Sequence, residues 1–199
     1  MTRTRLYLVR HGQVEGHEEK RYNGQADVPL TQEGLAQFGL LQLRMKKKNL
    51  TAVYSSDLSR CVQGAQMLAS GRDLEIQTVP ALRELHIGDW EGKTWEELQA
   101  SYPDEWQARL ADIVNYRVPN GESLVDLAAR IRPALKEIVE RHPGEDILLV
   151  AHGGVNRVIL LDAIGAPLSC LFGIEQSYGC LNAIDYFPDG KSVVQLLNG

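Results

Sequence analysis

Cysteine is scarce in this chain: Cys61, Cys170 and Cys180 are odd in number and form no Cys-x-x-Cys pair. That argues against a disulfide scaffold and a thiolate metal site, and reads as reduced, intracellular thiols. No apolar run reaches the roughly 18 residues of a membrane span. The polar stretch from Met1 to Arg5 is too short for a signal peptide. Cytoplasmic residence without a membrane partner is the expectation. Charge of neither sign dominates, since 21 Lys and Arg stand against 26 Asp and Glu, a formal net charge of -5. A dedicated nucleic-acid surface is not expected, although a local basic pocket is compatible with this balance. Repeats and low-complexity linkers are absent as well. The 199 residues, 44% hydrophobic, read as a single domain over 1–199 with a sizeable core.

What is present is an alternation of strand and helix patterns. Residues 4–10 read as a strand, and Thr31 caps a helix from about 31 to 47. Ala52-Val53-Tyr54 is a short strand, and Leu58, Cys61, Ala65 and Leu68 make a helical stripe. Leu74 to Val79 alternates as a strand does. Residues 84–118 hold Trp90, Trp95 and Trp106 and little strand pattern. They read as a helical cap with short helices near 94–101 and 103–111. Pro119 to Ser123 opens a long helix to about 141, with apolar positions at helical spacing. A strand at 146–151, a helix from about 154 to 164, and a β pair from Ala183 to Phe187 and Ser192 to Leu197 follow. The expected fold class is α/β: a three-layer sandwich, its mainly parallel central sheet flanked by helices.

Chemistry is concentrated at two strand ends. Leu6-Tyr7-Leu8-Val9 runs into Arg10-His11-Gly12, and Ile147 to Ala151 runs into His152-Gly153-Gly154. Sites in open α/β sheets gather beyond the carboxyl ends of the strands, so both histidines are candidates for one site. Gly12 permits close ligand approach, and Gly153 and Gly154 leave amides free near a helix start, where an anion is favoured. Arginine forks and a histidine that attacks or hydrogen-bonds an oxygen suit a phosphate. Arg60 stands near the start of a predicted helix, where a cation needs an anion or carboxylate for compensation. Glu84 is a candidate proton donor. Taken singly, each residue has a bland structural explanation; the combination carries the argument.

In this arrangement the chain resembles the histidine phosphatase, or phosphoglycerate-mutase-like, superfamily. The matching blocks are Leu8-Val9-Arg10-His11-Gly12, Arg21-Tyr22-Asn23-Gly24, Asp27 to Gly34, Tyr54 to Arg60, Glu84 to Gly92, Gly121-Glu122-Ser123 and Val150 to Gly154. They stand in the family's order over nearly the whole chain. The resemblance implies that His11 is a nucleophile forming a phosphohistidine. Arg10, Arg60 and His152 would hold phosphoryl oxygens, Glu84 would protonate the leaving alkoxide, and Gly153 would contribute its backbone. His17, Asn23, Gly24 and Trp90 are the further substrate-binding candidates. No metal and no cofactor is implied. The chain departs from the family at Gln13-Val14, which replace the common Glu-Thr, and at His17, which stands for an asparagine. Cys61 and Gly64 replace an Ala and a Thr.

The expected activity is metal-independent hydrolysis of a small phosphomonoester. The chain resembles the small bacterial branch that contains α-ribazole phosphatases, so α-ribazole 5′-phosphate or a sugar phosphate is the candidate substrate. Phosphoglycerate mutase and a non-catalytic phosphate-binding module remain alternatives. Arg83, His86 and Arg117 are candidates for a second anion. The edge strands and residues 168–178 are candidate contacts of a homodimer, though core packing explains them equally well.

Overall fold

The structure is a computed structural model and describes residues 2–199. Its centre is a six-stranded sheet: β1 (Thr4–Arg10), β2 (Leu50–Ser55), β3 (Ile76–Thr78), β4 (Asp146–Ala151), β5 (Leu181–Tyr186) and β6 (Ser192–Leu196). The spatial order is β3-β2-β4-β1-β5-β6. β3, β2, β4 and β1 pair in parallel, whereas β5 and β6 close one edge antiparallel. The sheet is therefore mixed: the parallel portion carries the crossover helices, and the C-terminal hairpin finishes it.

Strand alternation separates the two faces. Leu6, Leu8, Ile147 and Leu149 join one buried cluster, while Tyr7, Val9, Leu148 and Val150 join the other. The first face is covered by α5 (Leu124–Glu140) and α6 (Gly153–Ile164), and the second by α1 (Gln32–Met45) and α2 (Ser59–Ala69). Between β3 and α5 lie two short helices of the cap, α3 (Trp95–Ser101) and α4 (Pro103–Ala111). The result is a three-layer sandwich with a small helical cap.

Local chemistry sets the helix starts. The Thr31 hydroxyl accepts the Gly34 amide at 3.1 Å, as a cap at the start of α1 should. Ser123 and Asp126 form a reciprocal capping box at the start of α5. The anion called for at the start of α2 is Asp27, whose Oδ1 accepts the Ser59 amide at 2.8 Å and its hydroxyl at 2.7 Å. This carboxylate, distant in sequence, caps α2 at Ser59, the residue before Arg60.

Several boundaries differ from the sequence pattern. β2 is longer than Ala52–Tyr54 because a bulge after Leu50 lets that residue pair with Asp146. β3 is shorter than Leu74–Val79, since only Ile76–Thr78 lie opposite the end of β2 at the sheet edge. The Gly64 departure has a packing reason. A Cβ there would fall 1.9 Å from Cζ of the buried Phe38 ring, so the ring occupies the space a larger residue would fill. Gly64→Ala is expected to destabilise the fold by about 1–3 kcal/mol through overpacking. Chemical denaturation should show this loss reduced when Phe38→Leu is added. An unchanged loss in the double variant would place the strain elsewhere.

Candidate active site

The central pairing of β1 with β4 sets Arg10 opposite Ala151. The two strands therefore end together, and the His11 amide donates to the Ala151 carbonyl at 3.0 Å. The His11 and His152 rings meet edge to face, 5.2 Å between centroids. The loop after β1 is compact because glycines let backbones touch: a Cβ on Gly12 would lie 2.5 Å from the Gly34 carbonyl oxygen. His11 sits at the base of a cavity of about 410 Å³, and His152 lies fully buried beside it.

The protonation state of His11 follows from its contacts. Nδ1 lies 2.8 Å from the Gly12 carbonyl oxygen, which can only accept, so Nδ1 carries the proton. In the neutral ring, Nε2 then has a free lone pair. Burial, with Arg10 and Arg60 adding to it, holds the His11 imidazole well below its ordinary value. His152 is lowered too, by burial first and then by Arg60, His11 and Arg10. Its Nε2 lies 2.9 Å from the Ser56 hydroxyl oxygen. Cys61, in the position of the family's alanine, places its sulfur 3.5 Å from that same nitrogen.

The cations around His11 are held by backbone. Arg60 is buried and donates to the Ala26 carbonyl at 2.6 Å and the Gly24 carbonyl at 2.9 Å. Gly24 thereby positions Arg60 as well as lining the cavity. Arg10 donates through Nη1 to the Gln176 carbonyl at 2.5 Å and lies over the Tyr178 ring, 4.0 Å from its centroid. Its buried Nε has no hydrogen-bond partner among the described residues. Arg157 lines the same wall, bonded to the Ile174 carbonyl at 2.7 Å. Burial, and then Arg10, lowers its guanidinium. Cations held by neutral carbonyls keep their charge uncompensated, and an anion supplies the missing partner.

Glu84 is the acidic residue on the cavity wall. Its Oε1 accepts the Leu85 amide and its Oε2 the Gly154 amide, both at 2.9 Å. The second lone pair of each oxygen remains for a proton or a water. Arg130 clamps the loop from behind, donating to the Glu84 carbonyl at 2.8 Å and pairing with Glu122.

The sequence candidates divide accordingly. Arg10, His11, Arg60 and Glu84 line one cavity with His17, Asn23 and Gly24. Gly153 lies behind Arg10, where a Cβ would stand 3.3 Å from Arg10 Nε, and its neighbour Gly154 lines the wall instead. Trp90 is not a wall residue. It is 1% exposed, stacked 5.9 Å from Trp106 and packed against Tyr22 and Tyr116, so it holds the cap together. Trp95 is the tryptophan that lines the cavity. Arg83 and Arg117 are taken by Asp57 and Asp126, and neither they nor His86 line it.

Sequence reasoning missed Arg157, Tyr178 and Arg109, which also line the cavity. Arg157 had a signal: it stands four residues after Gly153, one turn along α6 on the same side. Tyr178 and Arg109 had none, because loop and cap packing bring them in. Among the described residues no three His, Cys, Asp or Glu side chains gather as a metal-ligand set, and no helix is long and apolar enough to cross a membrane.

Comparison with known proteins agrees with this geometry. A probable phosphoglycerate mutase of Yersinia pestis (strain Pestoides F) is 32% identical over 182 residues, 91% of this chain and 84% of that protein. The α-ribazole phosphatase of Shigella flexneri superposes with a TM-score of 0.91 at 28% identity, covering 98% of this chain and 96% of that one. A mycobacterial glucosyl-3-phosphoglycerate phosphatase complexed with VO3 gives 0.87 at 29% identity, covering 98% of each chain. The family model described as "Histidine phosphatase superfamily (branch 1)" matches residues 6–199. With a neutral histidine among uncompensated arginines at the end of its central strand, the chain belongs to the histidine phosphatase superfamily and is a phosphatase of that family.

Proposed function

We propose that the protein hydrolyses a small phosphomonoester through a phosphohistidine on His11 Nε2, without a metal ion. The observation that carries this reading is the His11 tautomer: Nδ1 is tied to the Gly12 carbonyl, which leaves Nε2 as the attacking lone pair. In the first step Nε2 forms a bond to phosphorus and the ester P–O bond breaks. Glu84, protonated, gives its proton to the departing alkoxide, which leaves as an alcohol. In the second step Glu84 takes a proton from water, whose oxygen attacks phosphorus. The P–N bond breaks, its electron pair returns to Nε2, and inorganic phosphate is released. Arg10, Arg60 and the α6 N-terminus stabilise charge on the phosphoryl oxygens throughout. His152, 5.2 Å from His11 between ring centroids, is assigned a supporting contact to the phosphoryl group.

The substrate is a small phosphometabolite. α-Ribazole 5′-phosphate and sugar phosphates are the named candidates, the first in keeping with the name of the Shigella phosphatase. The whole of residues 1–199 acts as one catalytic domain, with residues 84–118 as its cap. A mutase reading draws on the name of the Yersinia relative. It requires a second substrate hydroxyl, rather than water, to receive the phosphoryl group.

Hydrolysis of p-nitrophenyl phosphate is expected to persist with chelator and to fall by at least about 10³-fold in His11→Ala. Full activity in that variant would reject the nucleophile. Phosphoryl exchange between 2- and 3-phosphoglycerate, without net phosphate release, would instead establish the mutase. Binding of phosphate without any turnover would leave only a binding module. Glu84→Gln should slow phosphorylation by an alkyl phosphate about 10²–10⁴-fold. p-Nitrophenyl phosphate should suffer much less in that step, because its leaving group needs no proton. Equal losses measured by rapid quench would remove Glu84 from the acid role.

The lowered His11 and His152 values also set a pH dependence. Between their folded values and about 6.5 the unfolded chain binds more protons than the folded one, so stability falls as pH drops below about 6.5. Nitrogen NMR of labelled histidine should show His11 still neutral and protonated on Nδ1 at pH 6.5. A protonation midpoint at its ordinary value would contradict the buried, cation-flanked setting.

A further inference from the structure

Arg10 is gripped from one loop. Its backbone amide donates to the Cys180 carbonyl at 3.2 Å, its Nη1 donates to the Gln176 carbonyl at 2.5 Å, and the Tyr178 ring faces its guanidinium. The loop reaches the next residue too, since the Gly179 amide donates to the His11 carbonyl at 3.0 Å. Residues 175–180 belong to no helix or strand, so no regular backbone ladder fixes them. A carbonyl orients a guanidinium only when its own peptide is held in place.

What holds this peptide is a buried amide pair. The side chains of Gln176 and of Asn182, on β5, are both fully buried. Gln176 Nε2 donates to Asn182 Oδ1, and Asn182 Nδ2 donates to Gln176 Oε1, both at 2.9 Å. The other N–H of Gln176 goes to the Glu175 carbonyl at 2.9 Å, and its Oε1 also accepts the Cys180 thiol at 3.4 Å. Every donor and lone pair of the Gln176 amide is thereby used. Asn182 Nδ2 also donates to the Leu8 carbonyl at 3.1 Å, two residues before Arg10 on β1. Two amides are costlier to bury than two aliphatic side chains, so packing alone does not call for them. A reciprocal pair adds direction: it ties the Gln176 residue to β1 and β5 with its carbonyl turned toward Arg10.

We infer that Gln176 and Asn182 are positioning residues that hold the Arg10 guanidinium in place for the phosphoryl group. Neither lines the cavity that holds His11, so both act through Arg10. The role of Arg10 itself rests on the phosphomonoesterase reading.

Nitrogen NMR relaxation of labelled arginine reads the Arg10 Nε–H directly, with Arg10→Lys protein assigning its signal. That N–H should be rigid in the unmodified protein and mobile in Gln176→Met. In the same variant, kcat/KM for p-nitrophenyl phosphate and the affinity for inorganic phosphate should each fall about 10–100-fold. In Arg10→Lys protein, adding Gln176→Met should cost less than about twofold more, because the group it positions is gone. Removing both amides together, as Gln176→Met with Asn182→Leu, leaves fewer orphaned groups. The melting temperature of that double variant should recover while its activity stays low. Leu135→Ala, which lines a separate cavity beside Thr4 and Tyr186, should lower the melting temperature with phosphate affinity retained. An Arg10 N–H as rigid in Gln176→Met as in the unmodified protein would overturn the inference. Equal losses from Gln176→Met with and without Arg10 would do the same. Lost rigidity with phosphate affinity and turnover intact would uphold the positioning and reject Arg10 as a phosphoryl ligand.

Discussion

The register between β1 and β4 is the constraint on which the rest of the site depends. Parallel pairing of adjacent central strands makes both chains emerge from the same sheet edge. Arg10 faces Ala151 in that register, so His11 and His152 step out side by side. A slip of one residue would reverse the faces of the whole strand and break both cores at once. The hydrophobic alternation of Leu6 to Val9 and Ile147 to Ala151 therefore guards the geometry of two polar residues that lie beyond it.

The electrostatics follow from what holds the cations. A salt-bridged arginine offers little net field to a ligand, but an arginine held by carbonyls keeps its full charge. Arg10, Arg60 and Arg157 are all of the second kind. Burial, with the fields of Arg10 and Arg60, holds the His11 imidazole well below its ordinary value. On the proposed mechanism the same arrangement attracts the anion and keeps the attacking group neutral. Asp27 contributes from outside the wall: by capping α2 it offsets the helix charge that Arg60 would otherwise oppose.

Much of this was legible in the chain. The two strand-end histidines, Arg60, Glu84 and the Thr31 and Ser123 caps are local patterns, each within a few residues of a strand end or helix start. The need for an anion at the start of α2 was legible as a physical deficit, but its source, Asp27, was not. Trp90 shows the opposite case. Proximity to Glu84 in sequence suggested a ligand contact, yet the ring turns into the aromatic packing of the cap. Arg83 and Arg117 looked like free cations until Asp57 and Asp126 were seen to reach them. Gly64 is explained only by Phe38, a residue on another helix.

The sequence by itself determined the family, the α/β alternation and a set of candidate residues for the phosphoryl chemistry. These rest on short-range order: strand periodicity, caps, and motifs whose members are neighbours in the chain. Tertiary structure alone decided which cations are spent and which are free, and which residues of the cap and the loop before β5 close the cavity. Several of those outcomes depend on partners far along the chain, such as Asp57 for Arg83 and Gln176 for Arg10. Side-chain contacts of that range arise from packing, and no local pattern encodes them.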